Sequence, residues 1–394
     1  MKEGWKIKKF DEIIQSSLIG VVKNNKAQSP EFEFRYLKMN NIKNDNGLKE
    51  ESFTFVNATN EEVEKYSLKE NDFLFNTRNS YELVGKTCLY KSDYKKPTLF
   101  NNNILRVTFK DYIDPQFVAN AFSTASILKD LEKMKSGTTS VVGIYYKSLK
   151  NLQISFPPLS EQKQIVAILD TAFEAIDQAK VNIEKNIENA KELFQSKLNE
   201  IFSQKGEGWD AKQLGEICEN LDNKRIPITK HKRQGGSIPY YGASGIVDYV
   251  ADFIFDEDLL LVSEDGANLL ARTYPIAFSI SGKTWVNNHA HALRFGNMTN
   301  QKYVEYYLNS IKLDDFISGM AQPKLNQAKL NSIPIPYPNL DIQEQIIFKI
   351  DLLDKGIKRI RKSYQIKLGA LEELKKSILQ KAFAGELTNK MAEV

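Results

Sequence analysis

Cysteine is nearly absent from this 394-residue chain: Cys88 and Cys218 make neither a disulfide framework nor a zinc site. Long apolar runs are missing too. No stretch of about 18 apolar residues occurs, and no signal-peptide apolar region follows Met1, so neither secretion nor a membrane span is expected. A reducing cytoplasm is the expected setting. Excess charge of either sign is lacking as well: 54 Lys and Arg against 50 Asp and Glu leave +4. Any polyanion partner must therefore be met by a local patch. Disorder is excluded, because the chain is 42% hydrophobic and 26% charged. A chain of this length is expected to form at least two domains.

What is present is a repeat. Residues 4–13 return at 208–217, an offset of 204. Residues 70–75 echo 256–261 at an offset of 186, and 159–170 match 340–351 at 181. The order of elements never changes, and the falling offsets place the lost residues in loops. Two copies are too few for a solenoid and suit a pseudo-two-fold molecule.

Each copy has two unlike parts. The first holds short aromatic and β-branched runs, such as residues 53–56 and 100–109, interrupted by turn residues such as Asn46-Gly47 and Gly235-Gly236. These read as strands with some helix. The second part is a long helix, with Ser160 and Asp341 as expected N-caps. Its apolar positions are Ile165, Leu169, Ala172, Ile176, Ala179, Ile183, Ile187 and Ala190 in the first copy. In the second they are Ile346, Ile350, Leu353, Ile357, Ile360, Tyr364, Leu368 and Leu371. A near-3.5 repeat with one matching stutter in each predicts two seams that pair as an antiparallel coiled coil. The expected fold is α+β: two pseudo-symmetric α/β domains (1–157 and 205–338) separated by long helices (158–204 and 339–394). Net charges over these segments, in chain order, are +5, −3, −1 and +3.

Enzyme chemistry is not evident. Gly282-Lys283-Thr284 resembles the end of a phosphate loop, but Ala277 stands where that motif needs glycine. Phe156-Pro157-Pro158-Leu159 lacks the Asp or Asn that a base-amino methyltransferase places before its two prolines. No Gly-x-Gly-x-x-Gly follows a strand. His289 and His291 share one strand face, with His231 distant, so a polar or base-contacting role is favoured over metal. Glu264-Asp265 and Asp256-Glu257-Asp258 lack a partner lysine at nuclease spacing.

The pattern as a whole resembles the specificity (S) subunit of type I restriction–modification systems. The resemblance rests on residues 158–165 and 338–346, which carry the pattern Pro-x-Leu-x-x-Gln-x-Gln-Ile (its first proline being Pro157 in the first copy and Pro338 in the second), and on Gly4-Trp5 and Gly208-Trp209. The tail at 377–388 and segments 242–249, 264–269 and 285–291 add to it. Ile342, standing where the first copy has Glu161, is a departure. The resemblance implies a non-catalytic chain whose two target-recognition domains each read half of a bipartite, asymmetric DNA site. The helices would set the unread gap and hold two methyltransferase subunits and, through them, the restriction subunits. The assembly would be a DNA adenine methyltransferase and site-specific deoxyribonuclease. S-adenosylmethionine, ATP and magnesium would belong to those partners. The competing reading is a coiled-coil adaptor that binds only proteins.

On that implication, residues able to contact phosphates or base edges become site candidates. In the first domain these are Asn76, Thr77, Arg78, Asn79, Ser80 and Lys86, then Lys95, Lys96, Asn101, Asn102 and Asn103. Lys135, Ser136, Gly137, Thr138 and Thr139 follow. In the second they are Lys224, Arg225, Lys230, His231, Lys232 and Arg233, then Tyr240, Tyr241, Gly242, Ala243 and Ser244. Asn268, Arg272, Lys283, Asn287, Asn288 and His289 complete the set, with Glu264 or Asp265 as acceptors for a cytosine amine.

Overall fold

In both copies the first strand is short and polar, and it pairs antiparallel with the strand that closes the domain. Lys6–Lys9 lies against Gln153–Phe156, and Asp210–Gln213 lies against Pro334–Tyr337. Pro334 and Pro336 are tolerated because this second pair stands alone as a two-stranded sheet, with no further partner to lack an amide donor. These features belong to a computed structural model that describes residues 2–138, 141–204, 209–319 and 321–388.

The first compact unit comprises residues 1–181 and 367–394. Its main sheet orders Ile14–Ile19, Ile104–Phe109, Phe73–Asn76 and Thr87–Leu89, all antiparallel. A second sheet sets Phe34–Leu37 between Thr54–Val56 and Thr98–Phe100. Phe73–Asn76 is buried throughout, so its run of Phe-Leu-Phe serves both faces. Phe10, Phe73, Phe109 and Phe122 meet edge-on or tilted, with ring centroids 5.1–6.2 Å apart.

The second unit comprises residues 182–366 and repeats the plan. Its main sheet orders Glu219–Asn220, Ala290–Arg294, Leu259–Ser263 and Ala277–Ile280. The second sheet orders Gly245–Val250, Gly235–Gly242, Lys283–Val286 and Phe255–Asp256. The helix Met298–Ser310 buries Tyr303, Val304 and Leu308 against the core.

The two long helices run Leu159–Ser203 and Leu340–Phe383. Neither starts at its expected cap. Ser160 and Asp341 lie inside the first turn, and at the second helix the Asn339 carboxamide accepts from the Ile342 amide at 3.0 Å. Each unit takes one half of each helix into its own core. In the first unit Ile165 and Leu169 share a core with Leu379 and Ala382. In the second, Leu198 and Phe202 share one with Ile346 and Ile350. Lys180 pairs with Glu372 at 2.6 Å and Asp177 with Lys375 at 3.4 Å, so position rises on one helix as it falls on the other. The pairing is antiparallel. Most of the expected seam is buried or half-buried, but Ile360 stands 44% exposed.

The Pro-x-Leu-x-x-Gln motif is an interaction as well as a pattern. Gln162 folds back to donate to the Pro157 carbonyl at 2.9 Å, and Gln343 donates to the Pro338 carbonyl at 2.9 Å. Both glutamines are almost wholly buried. Gln162 also accepts from the Asp114 amide at 2.9 Å, tying the helix start to the helix Pro115–Ala121. Gln162→Ala is expected to cost about 1–3 kcal/mol by stranding buried polar groups, read as a lowered urea midpoint at unchanged slope. The departure at Ile342 also has a structural correlate. Glu161 receives Lys2 at 2.7 Å, Trp5 at 3.4 Å and Thr388 at 2.6 Å, whereas Ile342 packs against the second core.

Candidate nucleic-acid interface

In the first unit, backbone pairing brings separated candidate segments together. Arg78–Asn79 pairs with Val142–Gly143, which in turn pairs with Ser136–Gly137. The Thr77 amide donates to Asn103 O at 2.8 Å and the Asn76 amide to Lys86 O at 2.8 Å. Residues 76–80, 86, 101–103 and 136–138 therefore form one neighbourhood. Within it Arg78 is exposed, and its guanidinium lies 6.0 Å from the Tyr145 ring, itself half exposed.

Other candidates here are spent on the fold. Asn76 is fully buried and donates to Leu83 O at 3.2 Å; buried Thr77 donates to Asn103 O at 3.0 Å. The Asn101 side chain donates through Nδ2 to the Tyr36 hydroxyl at 3.0 Å, and Asn101 Oδ1 accepts from the Asn103 backbone amide at 2.8 Å. Asn79 and Ser80 close the loop, with the Ser80 amide donating to Asn79 Oδ1 at 2.9 Å, while Asn102 is half-buried. Lys86 is half-buried, donates to Ile42 O at 3.4 Å, and has its ammonium pKa lowered by burial and by the Lys49 charge. Lys135 pairs with Glu132 at 2.7 Å and lies over the Tyr81 ring. Lys95 and Lys96 are exposed, but they precede Thr98–Phe100 while Asn101 follows it, which puts them at the opposite end of that strand. Thr139 lies outside the described residues, as does Gly208 of the repeated Gly-Trp pair.

In the second unit, three loops converge on a buried ion network. Arg225 donates to Glu264 at 2.7 Å and to Ala290 O at 2.7 Å, and its Nε lies 3.2 Å from Asp222. His291 sits against Asp222 through one ring nitrogen and against Leu325 O, at 2.8 Å, through the other. Lys324 reaches Glu264 at 3.2 Å. Donor atoms of Asp222, Glu264 and His291 lie within 4.8 Å of one another, but the Arg225 guanidinium already pairs with both carboxylates. The arrangement is an ion-pair network. Burial acts to raise the Asp222 pKa, yet the hydrogen bond and charge of His291, the Ala292 amide and Arg225 outweigh it and hold the carboxyl below its ordinary value.

Above the network, the Asn287 amide donates to Tyr241 O at 3.0 Å and the Glu264 amide to His289 O at 2.9 Å, and Ser263 donates to Ala243 O. Residues 241–244, 263–265 and 287–289 thus form one rim. Ser244, Asn288 and His289 are exposed on it. Tyr240, Gly242 and Asn287 are buried, and Tyr241 and Ala243 half-buried. Asn268 closes its own loop by exchanging two 3.0 Å hydrogen bonds with Tyr274. Arg272, in the left-handed backbone region at φ 51°, donates to Ile311 O at 2.8 Å and Leu308 O at 3.3 Å. It thereby satisfies carbonyls at the end of Met298–Ser310. Arg233 pairs with Asp248 at 2.9 Å and stacks on Tyr240, pinning the basic turn Lys230–Lys232 to the hairpin beyond it. Lys224, Lys230, His231, Lys232 and Lys283 remain exposed.

Burial and internal pairing thus engage Asn76, Thr77, Arg225, Tyr240, Gly242, Asn268, Arg272 and Asn287 within the fold. Tyr145 and Lys324, which sequence reasoning did not single out, stand exposed beside these neighbourhoods. Gly143 was the available signal for Tyr145, since a Cβ there would stand 3.0 Å from the Tyr145 ring.

Neither cysteine is paired with the other. Burial pushes the Cys88 thiol up, and burial with the Asp222 charge pushes Cys218 up to about 12, so neither is a nucleophile at neutral pH. Among the described residues, no helix is long and apolar enough to cross a membrane.

Comparison with known proteins follows the same two-fold plan. The family model for the type I restriction modification DNA specificity domain matches residues 2–189 and again 206–368. A Haemophilus influenzae protein described as a type I restriction enzyme specificity subunit is 36% identical over 160 residues, 40% of this chain and 41% of that protein. The chain thus spans about two-fifths of that relative's length. A Methanocaldococcus jannaschii protein so described is 25% identical over 358 residues, 83% of this chain and 81% of the relative. Among solved structures, a chain from a study of complex assembly in the type I R-M system is similar at a TM-score of 0.75 and 19% identity, covering 98% of this chain and 99% of that one. The crystal structure of an HsdS subunit from Thermoanaerobacter tengcongensis is similar at 0.59 and 19% identity, covering 98% of each. These two likenesses concern the fold alone.

Proposed function

Because this chain belongs to the type I restriction–modification DNA specificity family, we propose that it is the sequence-reading subunit of a DNA-modifying complex, with no catalytic step of its own. Each unit reads one half of a bipartite, asymmetric site in double-stranded DNA. The long helices set the unread gap and hold two methyltransferase subunits, through which restriction subunits join. S-adenosylmethionine, ATP and magnesium are assigned to those partners.

The observation that carries this reading is the duplication of one framework with different exposed side chains. Matching sheets support both rims, but the first presents Arg78 beside Tyr145 and the second presents Asn288, His289 and Lys324. A shared scaffold with unlike polar rims suits two unlike half-sites.

The test uses the chain assembled with its methyltransferase subunits and a duplex carrying the motif that the complex methylates. Arg78→Ala is expected to weaken binding on the order of tenfold, and to reduce the slope of log affinity against log salt by about 1 if Arg78 meets a phosphate. A protein-only adaptor predicts no change in either quantity.

A further inference from the structure

The geometry points to His289 as the side chain with which the second unit selects a base pair, accepting a hydrogen bond from an exocyclic amine, and to Asp265 as the residue that sets it up. This rests on the DNA-reading function proposed above.

His289 Nδ1 lies 2.8 and 3.0 Å from the two oxygens of the Asp265 carboxylate. A carboxylate can only accept, so Nδ1 carries a proton and donates it. In the neutral ring, Nε2 is then left with its lone pair. Every base pair offers one amine in the major groove, adenine N6 or cytosine N4, at a position that differs among the four pairs. A fixed acceptor can discriminate among pairs by where that amine stands.

The fixing is unusually complete for an exposed residue. The His289 side chain is 51% exposed and that of Asp265 only 19%, so the reader projects while its support is covered. The His289 amide donates to Asn287 Oδ1 at 2.8 Å, and its carbonyl accepts from the Glu264 amide. Asp265 in turn is bridged to Lys324, and the Gly266 amide donates to Pro323 O at 3.0 Å. Beneath them lies the buried network of Arg225, Asp222, Glu264 and His291. A reading group held this way has little ordering cost left to meet on binding. On this proposal Asp265 is a positioning residue and does not itself accept from cytosine.

The test maps methylated adenines by single-molecule sequencing in a methylation-free bacterial host that expresses the full chain with its methyltransferase subunits. The wild type is expected to mark a bipartite motif. His289→Ala is expected to lose on the order of tenfold discrimination at one base pair of one half-site, leaving the other half unchanged. Asp265→Ala should relax that same pair. Asp265→Asn, whose amide oxygen still accepts from Nδ1–H, should keep the preference. An unchanged motif in His289→Ala, or relaxation of different pairs by the His289 and Asp265 variants, overturns the assignment. If His289→Ala marks nothing, His289→Ser decides: the wild-type motif, or no marking at all, overturns it, whereas relaxation at a single pair supports it. A wild type that marks no bipartite motif overturns the underlying reading. A wild-type motif insensitive to His289 overturns only this inference.

Discussion

Arg225→Ala is expected to destabilise the second unit by about 3–5 kcal/mol, the cost of leaving buried charge without its partner. The Arg225 side chain is 11% exposed, and those of Asp222 and Glu264 are 7% and 13%. The guanidinium is bonded to both carboxylates and to the Ala290 carbonyl, so its removal takes a partner from three acceptors at once and leaves His291 and the Ala292 amide on Asp222 and Lys324 on Glu264. Denaturation followed through Trp285 in a W5F/W209F background would report the loss, since Trp285 donates to Ile226 O within this unit. Replacing Arg225, Asp222, Glu264 and His291 together by neutral residues of similar size should cost less, because no buried charge is left unpaired.

The pH dependence has a defined sign. The Asp222 pKa is depressed in the folded chain. Its contribution is therefore complete well above the unfolded carboxylate value of about 4, and it is lost as pH falls through the lower folded value. In Arg225→Ala the carboxyl is less depressed, so the loss still begins near the unfolded value but is smaller and is complete at a higher pH. An acid titration in which the variant and the wild type lose stability over the same range would contradict this account of the network.

The second large effect concerns the gap. On the proposal that the long helices set it, seven residues added at the stutter of each helix preserve the apolar phase and add about 10.5 Å of helix. At about 3.4 Å per base pair, the methylated motif should keep both half-sites and widen by about three base pairs, with methylation at the original sites falling to background. Single-molecule sequencing reads this directly. Half-sites that change while the gap stays constant would argue against the helices as the spacer.

The duplication and the helices were legible in the amino-acid order because their causes are local or periodic. Gln162 and Gln343 each reach a proline carbonyl five residues back, so the written spacing is itself the contact. The seams follow from apolar residues three and four apart. The helix starts were misread by a residue or more, because Ser160 and Asp341 are competent caps that the backbone places inside the first turn.

The interface was less legible. Arg225, Asn268 and Arg272 have the right chemistry for DNA, and nothing nearby in sequence says that it is already spent. Arg225 meets Glu264 across 39 positions and Ala290 across 65, while Arg272 meets Ile311 across 39. Tyr145 was overlooked for the converse reason: an aromatic beside Val142 and Ile144 reads as core, yet it stands half exposed while both neighbours are buried. Amino-acid order alone determined that the molecule is two copies of a domain and a long helix, since such contacts repeat along the chain. Tertiary structure decided which polar groups are left to face a partner. A donor's availability depends on what the fold brings within about 3 Å of it, and distance along the chain does not encode that.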